Sequence, residues 1–263
     1  MRILIHVAAA AAVLAIAAGA AEAQEAKEWT TVRIGVDATY PPFEFTGPDG
    51  QIQGFSIDIA NALCERMKVE CEFMNQDWEG IIPALQANRF DAIVSSMSIT
   101  EERKQQVDFT SKYYNTPPAI AVPTDSELKG VTPEDLAGKT IGAQVSTTHA
   151  NYVQDKYPES ELKAYPSPDE YKLDLATGRI DAAMDDSVVL SAWLETEEGA
   201  ACCRLLGTVE SDPVIHGEGA GIAIRKEDTA LRDKFNEALE EIRADGTYEK
   251  INEKYFPFDV YGS

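Results

Sequence analysis

Two short segments of this chain recur in the same order. Val32-Arg33-Ile34-Gly35-Val36-Asp37 parallels Lys139-Thr140-Ile141-Gly142-Ala143-Gln144, and Asn88-Arg89-Phe90-Asp91-Ala92-Ile93-Val94-Ser95-Ser96 parallels Gly178-Arg179-Ile180-Asp181-Ala182-Ala183-Met184-Asp185-Asp186. Either match alone is weak. Two in the same order, about 90–107 residues apart, predict two lobes of like topology. Between them the hydrophobic period switches repeatedly from that of a strand to that of a helix. Strands are predicted at Val32–Asp37, Ala92–Ser95, Thr140–Ala143, Leu162–Tyr165, Ile180–Met184, Cys203–Leu206 and Gly221–Arg225. Helices are predicted at Ser56–Met67 with Ser56 as a candidate cap, Glu79–Asn88 with Pro83 either in the first turn or kinking it, Thr148–Lys156, Asp169–Thr177, Ser187–Glu195, Thr229–Ala244 and Thr247–Lys254. Such alternation implies α/β layers with mostly parallel sheets, whose ligands bind at the carboxyl ends of the strands. Asp37, Ser95, Ser96, Gln144, Asp185 and Asp186 all lie at such ends. Because neighbours on a strand face opposite sides, Asp185 is expected to point away from the side that Asp186 faces.

Composition narrows the function. Lys and Arg number 23 against 45 Asp and Glu, a net charge of −22. That balance argues against nucleic acid and anionic lipid as partners, since both require clustered basic residues. With 44% hydrophobic residues in 263, the chain can bury the cores of two lobes.

Residues 1–23 read as a secretory signal: Arg2, an apolar run from Val7 to Ala21, and the small-x-small site Ala21-Glu22-Ala23. The run is shorter than the ~18–20 strongly apolar residues of a membrane span. Export makes the four Cys informative. Cys64 and Cys71 are spaced to staple the end of a helix to the start of a strand. Cys202 and Cys203 are adjacent, and whether they pair is left open. Zinc would want CxxC-type spacing with His nearby, and neither is present.

The segments Arg33–Phe43 (RIGVDATYPPF), Gly54–Asp58 (GFSID), Ala92–Arg103 (AIVSSMSITEER) and Ala244–Tyr248 (ADGTY) together resemble the family 3 solute-binding proteins of ABC importers. The similarity is greatest to the periplasmic lysine/arginine/ornithine- and histidine-binding branch, whose disulfide also matches the Cys64/Cys71 spacing. The resemblance implies a type II periplasmic-binding-protein fold: two α/β lobes, each a mixed, mostly parallel sheet flanked by helices, with the ligand in the interlobe cleft. Lobe 1 would comprise 24–115 and 216–263, and lobe 2 would comprise 116–215. Crossovers would lie near Asn115–Pro118 and Asp212–Gly217. The implied function is a periplasmic receptor that captures a cationic amino acid by hinge closure and delivers it to a membrane permease. Arginine, lysine and ornithine lead, with histidine or an arginine-derived opine as further candidates. A monomer without cofactor or metal is implied.

Carried over position by position, Arg103 would grip the α-carboxylate and Asp186 would accept the α-ammonium. Ser98, Thr148 and backbone donors near them would complete the carboxylate shell, with Thr147 beside them as a further ligand-binding residue; Ser95 and Ser96 would meet ligand amino groups, and Tyr40 and Trp78 would sandwich the side chain. Asp37 would pair with the distal positive charge. Each also has a plainer reading: Arg103 on a solvated helix face, Tyr40 and Trp78 as core aromatics, Asp186 as a helix cap, Ser95 and Ser96 as loop. Two positions depart from the family. Ser146 stands where Gly is common, and His149 stands where near relatives tend to carry Gln. His149 is read either as a ligand contact or as an exposed first-turn residue.

An enzyme on the same scaffold, an amino-acid-like dehydratase or hydrolase, is the alternative. No HExxH, GxSxG or GxxxxGK[ST] pattern occurs, and Gly217-Glu218-Gly219-Ala220-Gly221 is not a dinucleotide fingerprint. A cleft acid such as Asp185 could still act on a proton. A sensor domain of a larger signalling protein would carry a second membrane segment, and none appears.

Overall fold

The computed structural model describes residues 29–262, so the signal-peptide expectation at 1–23 lies outside the described residues. In chain order the elements are β1 (Thr31–Val36), β2 (Thr39–Tyr40), β3 (Glu44–Thr46), β4 (Ile52–Gln53), α1 (Phe55–Met67), β5 (Glu70–Asn75), α2 (Ile81–Gln86), β6 (Ala92–Ile93), α3 (Glu101–Lys104), β7 (Asp108–Tyr114) and β8 (Pro118–Pro123). They continue with β9 (Thr140–Gln144), α4 (Thr148–Lys156), β10 (Glu161–Tyr165), α5 (Pro168–Ala176), β11 (Ala182–Asp186), α6 (Ser187–Leu194), α7 (Glu197–Cys202), β12 (Cys203–Thr208), α8 (Pro213–His216), β13 (Ala220–Ile224), α9 (Thr229–Ala244) and α10 (Thr247–Tyr255).

Two five-stranded sheets result, ordered β5-β1-β6-β13-β7 and β10-β9-β11-β8-β12. In each, the first three strands are parallel and the fourth and fifth pair antiparallel, so each sheet is mixed and mostly parallel in its repeated half. The chain leaves the first sheet after β7, enters the second at β8, and returns after β12 to place β13 in the first. A small sheet, β2-β3-β4, stands beside the first.

The sequence repeat has a physical basis. Asp91 receives the backbone N–H of Arg33 at 3.1 Å, and Asp181 receives that of Thr140 at 2.9 Å. Each Asp thus ties the strand it precedes, β6 or β11, to the neighbouring parallel strand, β1 or β9. In the first lobe the tie is reinforced by charge: Asp91 accepts from the Arg33 side chain at 2.9 and 3.0 Å and from buried Arg225 at 3.2 Å. Burial works to raise the Asp91 carboxyl, but these bonds outweigh it and hold the group below the usual range.

The residue between Arg and Asp in each repeat packs over the glycine of that neighbouring strand, Gly35 of β1 or Gly142 of β9. A Cβ on Gly35 would lie 2.5 Å from the Phe90 ring, and one on Gly142 would lie 2.6 Å from Ile180 Cδ1. The repeat is therefore a unit of glycine, covering apolar side chain and register-setting Asp.

Helix α9 buries Leu231, Phe235, Leu239 and Ile242, the face its spacing predicts. Ser56 is not a cap. Gly54 occupies that position without a side-chain bond, and Ser56 lies inside α1 with its hydroxyl 3.1 Å from that of Tyr113. Pro83 falls in the first turn of α2, where its missing N–H costs nothing, and a short 3-10 turn at Trp78–Gly80 precedes it. Cys64 of α1 and Cys71 of β5 form the expected disulfide, and Cys202 and Cys203 are also bonded to each other.

Gly35→Ala is expected to overpack the core against Phe90, costing about 1–3 kcal/mol. For a chain of this size that lowers Tm by roughly 2–4 °C per kcal/mol. Adding Phe90→Leu should return part of the loss, and thermal unfolding of the single and double variants checks it.

Candidate ligand-binding cleft

The carboxyl ends of β1 and β6 in one lobe face those of β9 and β11 in the other. A cavity of about 40 Å³ between them is lined by Asp37, Tyr40, Trp78, Ser95, Ser96, Ser98, Arg103, Thr147, Thr148 and His149, together with Glu44 and Gln144. Asp186 lines an adjoining cavity that shares Tyr40, Ser96, Ser98, Thr148 and His149. All the residues singled out for the ligand site are thus gathered at the interlobe cleft.

Direct bonds join the lobes across it. Gln144 Nε2 donates to Asp37 at 3.0 Å. Trp78 Nε1 and Arg103 Nη2 both donate to the Ser146 carbonyl at 3.2 Å. The Tyr40 hydroxyl donates to Asp185. Ser146 has φ 59, the left-handed region in which glycine is free of strain, and that turn aims its carbonyl at the other lobe.

Arg103 is buried, so the reading of it as a solvated helix residue fails. Thr100 caps α3 by accepting from the Arg103 N–H. Its guanidinium donates to the Ser98 carbonyl at 3.0 Å as well as to Ser146, and lies 5.1 Å from the Trp78 ring centroid. Among the described residues no carboxylate forms a salt bridge with it. Burial draws it down to about 10, which leaves it charged at neutral pH.

The acids are treated unequally. Asp186 caps α6 through Val188 N–H at 2.8 Å and accepts from the Thr116 hydroxyl. Burial still pushes it up to about 7. Asp37 accepts from Thr39 at 2.9 Å and from Gln144, yet burial leaves it above its ordinary value. Glu44, which sequence reasoning passed over, is 1% exposed, and neither carboxylate oxygen has a hydrogen-bond partner of ordinary geometry. Burial pushes it up to about 8, offset in part by the hydroxyls of Ser56 and Ser96. The Ser96 hydroxyl is likewise buried and unpartnered. An acid inside the apolar run Phe43-Glu44-Phe45 was the available signal.

Other hydroxyls are already engaged. Ser95 Oγ accepts from the Asp37 N–H at 2.9 Å. Thr147 caps α4 through Ala150 N–H at 3.1 Å and donates to the Gln144 carbonyl at 2.7 Å. His149 is not an exposed first-turn residue, because its Nδ1 lies 3.3 Å from Asp185, with the side chain 15% exposed. Asp185 does not point away from the cleft. Strand alternation ends where β11 becomes the cap of α6, and Asp185 reaches Tyr40 and His149.

Two lobes of like topology enclosing buried charges of both signs define a solute-binding receptor that closes on a small charged ligand. The chain belongs to the bacterial extracellular solute-binding proteins, family 3, whose model matches residues 32–258. It is 46% identical over 235 residues to the L-arginine-binding protein of Pseudomonas aeruginosa, covering 88% of this chain and 90% of that protein. It is 40% identical over 233 residues to the histidine-binding periplasmic protein of Escherichia coli, covering 88% and 89%. The solved structure of a Salmonella typhimurium periplasmic binding protein described as highly specific for arginine superposes with a TM-score of 0.79 at 36% identity, covering 86% of this chain and 99% of that one.

The raised acids set a pH dependence. Asp186, near 7, and Glu44, near 8, bind protons more tightly folded than unfolded, so their contribution to stability is present at low pH and lost as pH rises through those values. His216, drawn by burial to about 4, and His149, also lowered, act in the opposite direction, but their change fades within about one unit above the ordinary value of 6.5. Between pH 6.5 and 8.5 the Tm of the ligand-free protein is expected to fall, and to fall less steeply in Glu44→Gln. A scan of Tm against pH for the two proteins checks both.

Proposed function

We propose that this protein is the periplasmic receptor of an ABC importer for cationic amino acids, with arginine its foremost ligand. The observation that carries the reading is the presence, in one cavity, of a buried Arg103 guanidinium that no carboxylate among the described residues pairs with and a buried Glu44 carboxyl whose oxygens have no hydrogen bond of ordinary geometry. A buried charge lacking its complement is costly, and a ligand that supplies the complement recovers that cost on binding.

In this reading Arg103 takes the α-carboxylate with its planar donor pair. Asp186 takes the α-ammonium. Asp37 and Glu44 meet the distal cation, with the Ser96 hydroxyl beside them, and Tyr40 and Trp78 flank the aliphatic stem. Lobe closure removes the ligand from water, and the closed form is what the membrane permease receives. The relatives named for arginine and histidine share the chain over nearly their whole length, which supports a cationic ligand of that size. Family membership makes the protein a transport receptor rather than a catalyst.

Titration calorimetry with arginine, lysine, ornithine, histidine, glutamine and glutamate tests the assignment. Arginine is expected at micromolar Kd or better, and mass spectrometry should recover it unchanged. Tight binding confined to the neutral or acidic members would overturn the cationic reading. Arg103→Ala should weaken every ligand at least about tenfold, since a charged hydrogen bond contributes about 1.5–3 kcal/mol. Asp37→Asn should weaken arginine more than glutamine, and equal losses would show Asp37 to be structural.

A further inference from the structure

Asp185 does not line the ligand cavity, yet two residues that do are fastened to it. Asp185 is 2% exposed, and its carboxylate receives three hydrogen bonds with the His149 ring nitrogen lying beside it. Oδ1 accepts from the Tyr40 hydroxyl and, at 2.7 Å, from the Asp186 N–H, with His149 Nδ1 at 3.3 Å. Oδ2 accepts from the Tyr171 hydroxyl. Burial and the nearby carboxylates raise both phenols well above their ordinary value, so they stay protonated and serve as donors.

These groups come from different places. Tyr171 on α5, His149 on α4 and the Asp186 amide belong to the same lobe as Asp185, whereas Tyr40 on β2 belongs to the other. A role confined to buttressing its own lobe would account for the first three. It leaves the Tyr40 bond without a purpose, because that bond exists only while the lobes are together. Tyr40 is held from behind by Phe43, with ring centroids 6.2 Å apart. Its hydroxyl end is held by Asp185. His149 faces Asp185, Arg103 and, at 6.2 Å between rings, His216, so the same carboxylate fixes the opposite wall.

We propose that Asp185 is a positioning residue that couples lobe closure to the shape of the ligand pocket, by anchoring Tyr40 of one lobe and His149 of the other to a single buried carboxylate. The proposal rests on the reading of the cleft as an amino-acid receptor. A bond formed only in the closed state adds to affinity without touching the ligand, because it raises the fraction of protein in the binding-competent form. A carboxylate suits the position better than an amide. It accepts at both oxygens, while an amide would turn an N–H toward one of the converging donors.

The test is a double-mutant cycle on arginine affinity with Tyr40→Phe, Asp185→Ala and their combination, together with small-angle scattering of each ligand-free protein. Each single change is expected to weaken arginine about tenfold, and the double change no more than about twofold beyond the weaker single. The scattering of each variant should shift toward a more extended particle. Losses that multiply in the double variant, or arginine binding by Tyr40→Phe within threefold of the parent, would overturn the proposal. If Asp185→Ala does not fold, Asp185→Asn completes the cycle with a smaller expected coupling of about threefold. If the parent protein binds none of the amino acids tested, the receptor reading fails on its own. Scattering then decides the role of Asp185, and profiles of the variants identical to the parent's would refute it.

Discussion

The cleft is governed by the cost of taking charge out of water. Asp37, Glu44, Asp185, Asp186 and Arg103 are all buried where the two lobes meet. An unpaired ion in such a place costs several kcal/mol unless hydrogen bonds or a counter-charge offset it. The offsets are distributed in order. Asp185, behind the cavity wall, receives three hydrogen bonds and has the His149 ring at 3.3 Å. Asp186, at its margin, has a helix N-terminus and Thr116. Asp37 has Thr39 and Gln144. Glu44, on the cavity itself, has no bond of ordinary geometry. Satisfaction declines toward the space a ligand would fill, as a binding site requires and a structural ion cluster would not.

That arrangement depends on the repeat. Each glycine, covering side chain and register-setting Asp fixes two adjacent parallel strands so that their carboxyl ends finish level and the polar residues beyond them project together. The two lobes then supply rims that differ in content. One brings the Asp37 and Ser95–Ser96 strand ends, and the other brings Gln144 and Asp185–Asp186. The opposition of the rims is a property of the fold, while the chemistry resides in a few side chains that the repeat leaves free to vary.

Much of this was legible in the sequence because it is local. The period of α9, the span of α4 and the paired Asp and Gly motifs each reflect physics acting within a few residues. The strands β7 and β8 were less visible. Only the Asn115–Pro118 turn between them carries a signal, and their pairing is with strands about 65–110 residues away. Glu44 escaped notice because its one local signal, an acid between Phe43 and Phe45, does not distinguish a strand acid facing water from one facing a cavity. Its burial is created by the second lobe and by the rings around it. Alternation misplaced Asp185 because it holds along a strand, and the strand there ends in a helix cap. The internal repeat located the strand ends, and the tertiary structure decided which hydroxyls remain available: Ser96 does, whereas Ser95 and Thr147 are committed to backbone partners.

The way Arg103 is held bears on how such a cleft can both close and bind. Its guanidinium is solvated by two backbone carbonyls, Ser98 in its own lobe and Ser146 in the other, and by the face of Trp78. Carbonyl dipoles solvate the cation without neutralising it, and burial, opposed by the nearby Glu102 charge, lowers it only to about 10, so the full charge persists. A carboxylate in the same place would have formed a tighter pair, and a ligand would then have had to displace it at the cost of a second buried ion. Dipoles instead hold the lobes together while leaving the anion site open to competition. Glu44 presents the same logic with the opposite sign: it is held close to its ionisation point rather than locked into a salt bridge. A ligand with a carboxylate at one end and a cation at the other restores both charges to paired environments at once. The cleft therefore favours such a molecule over one that satisfies either end alone.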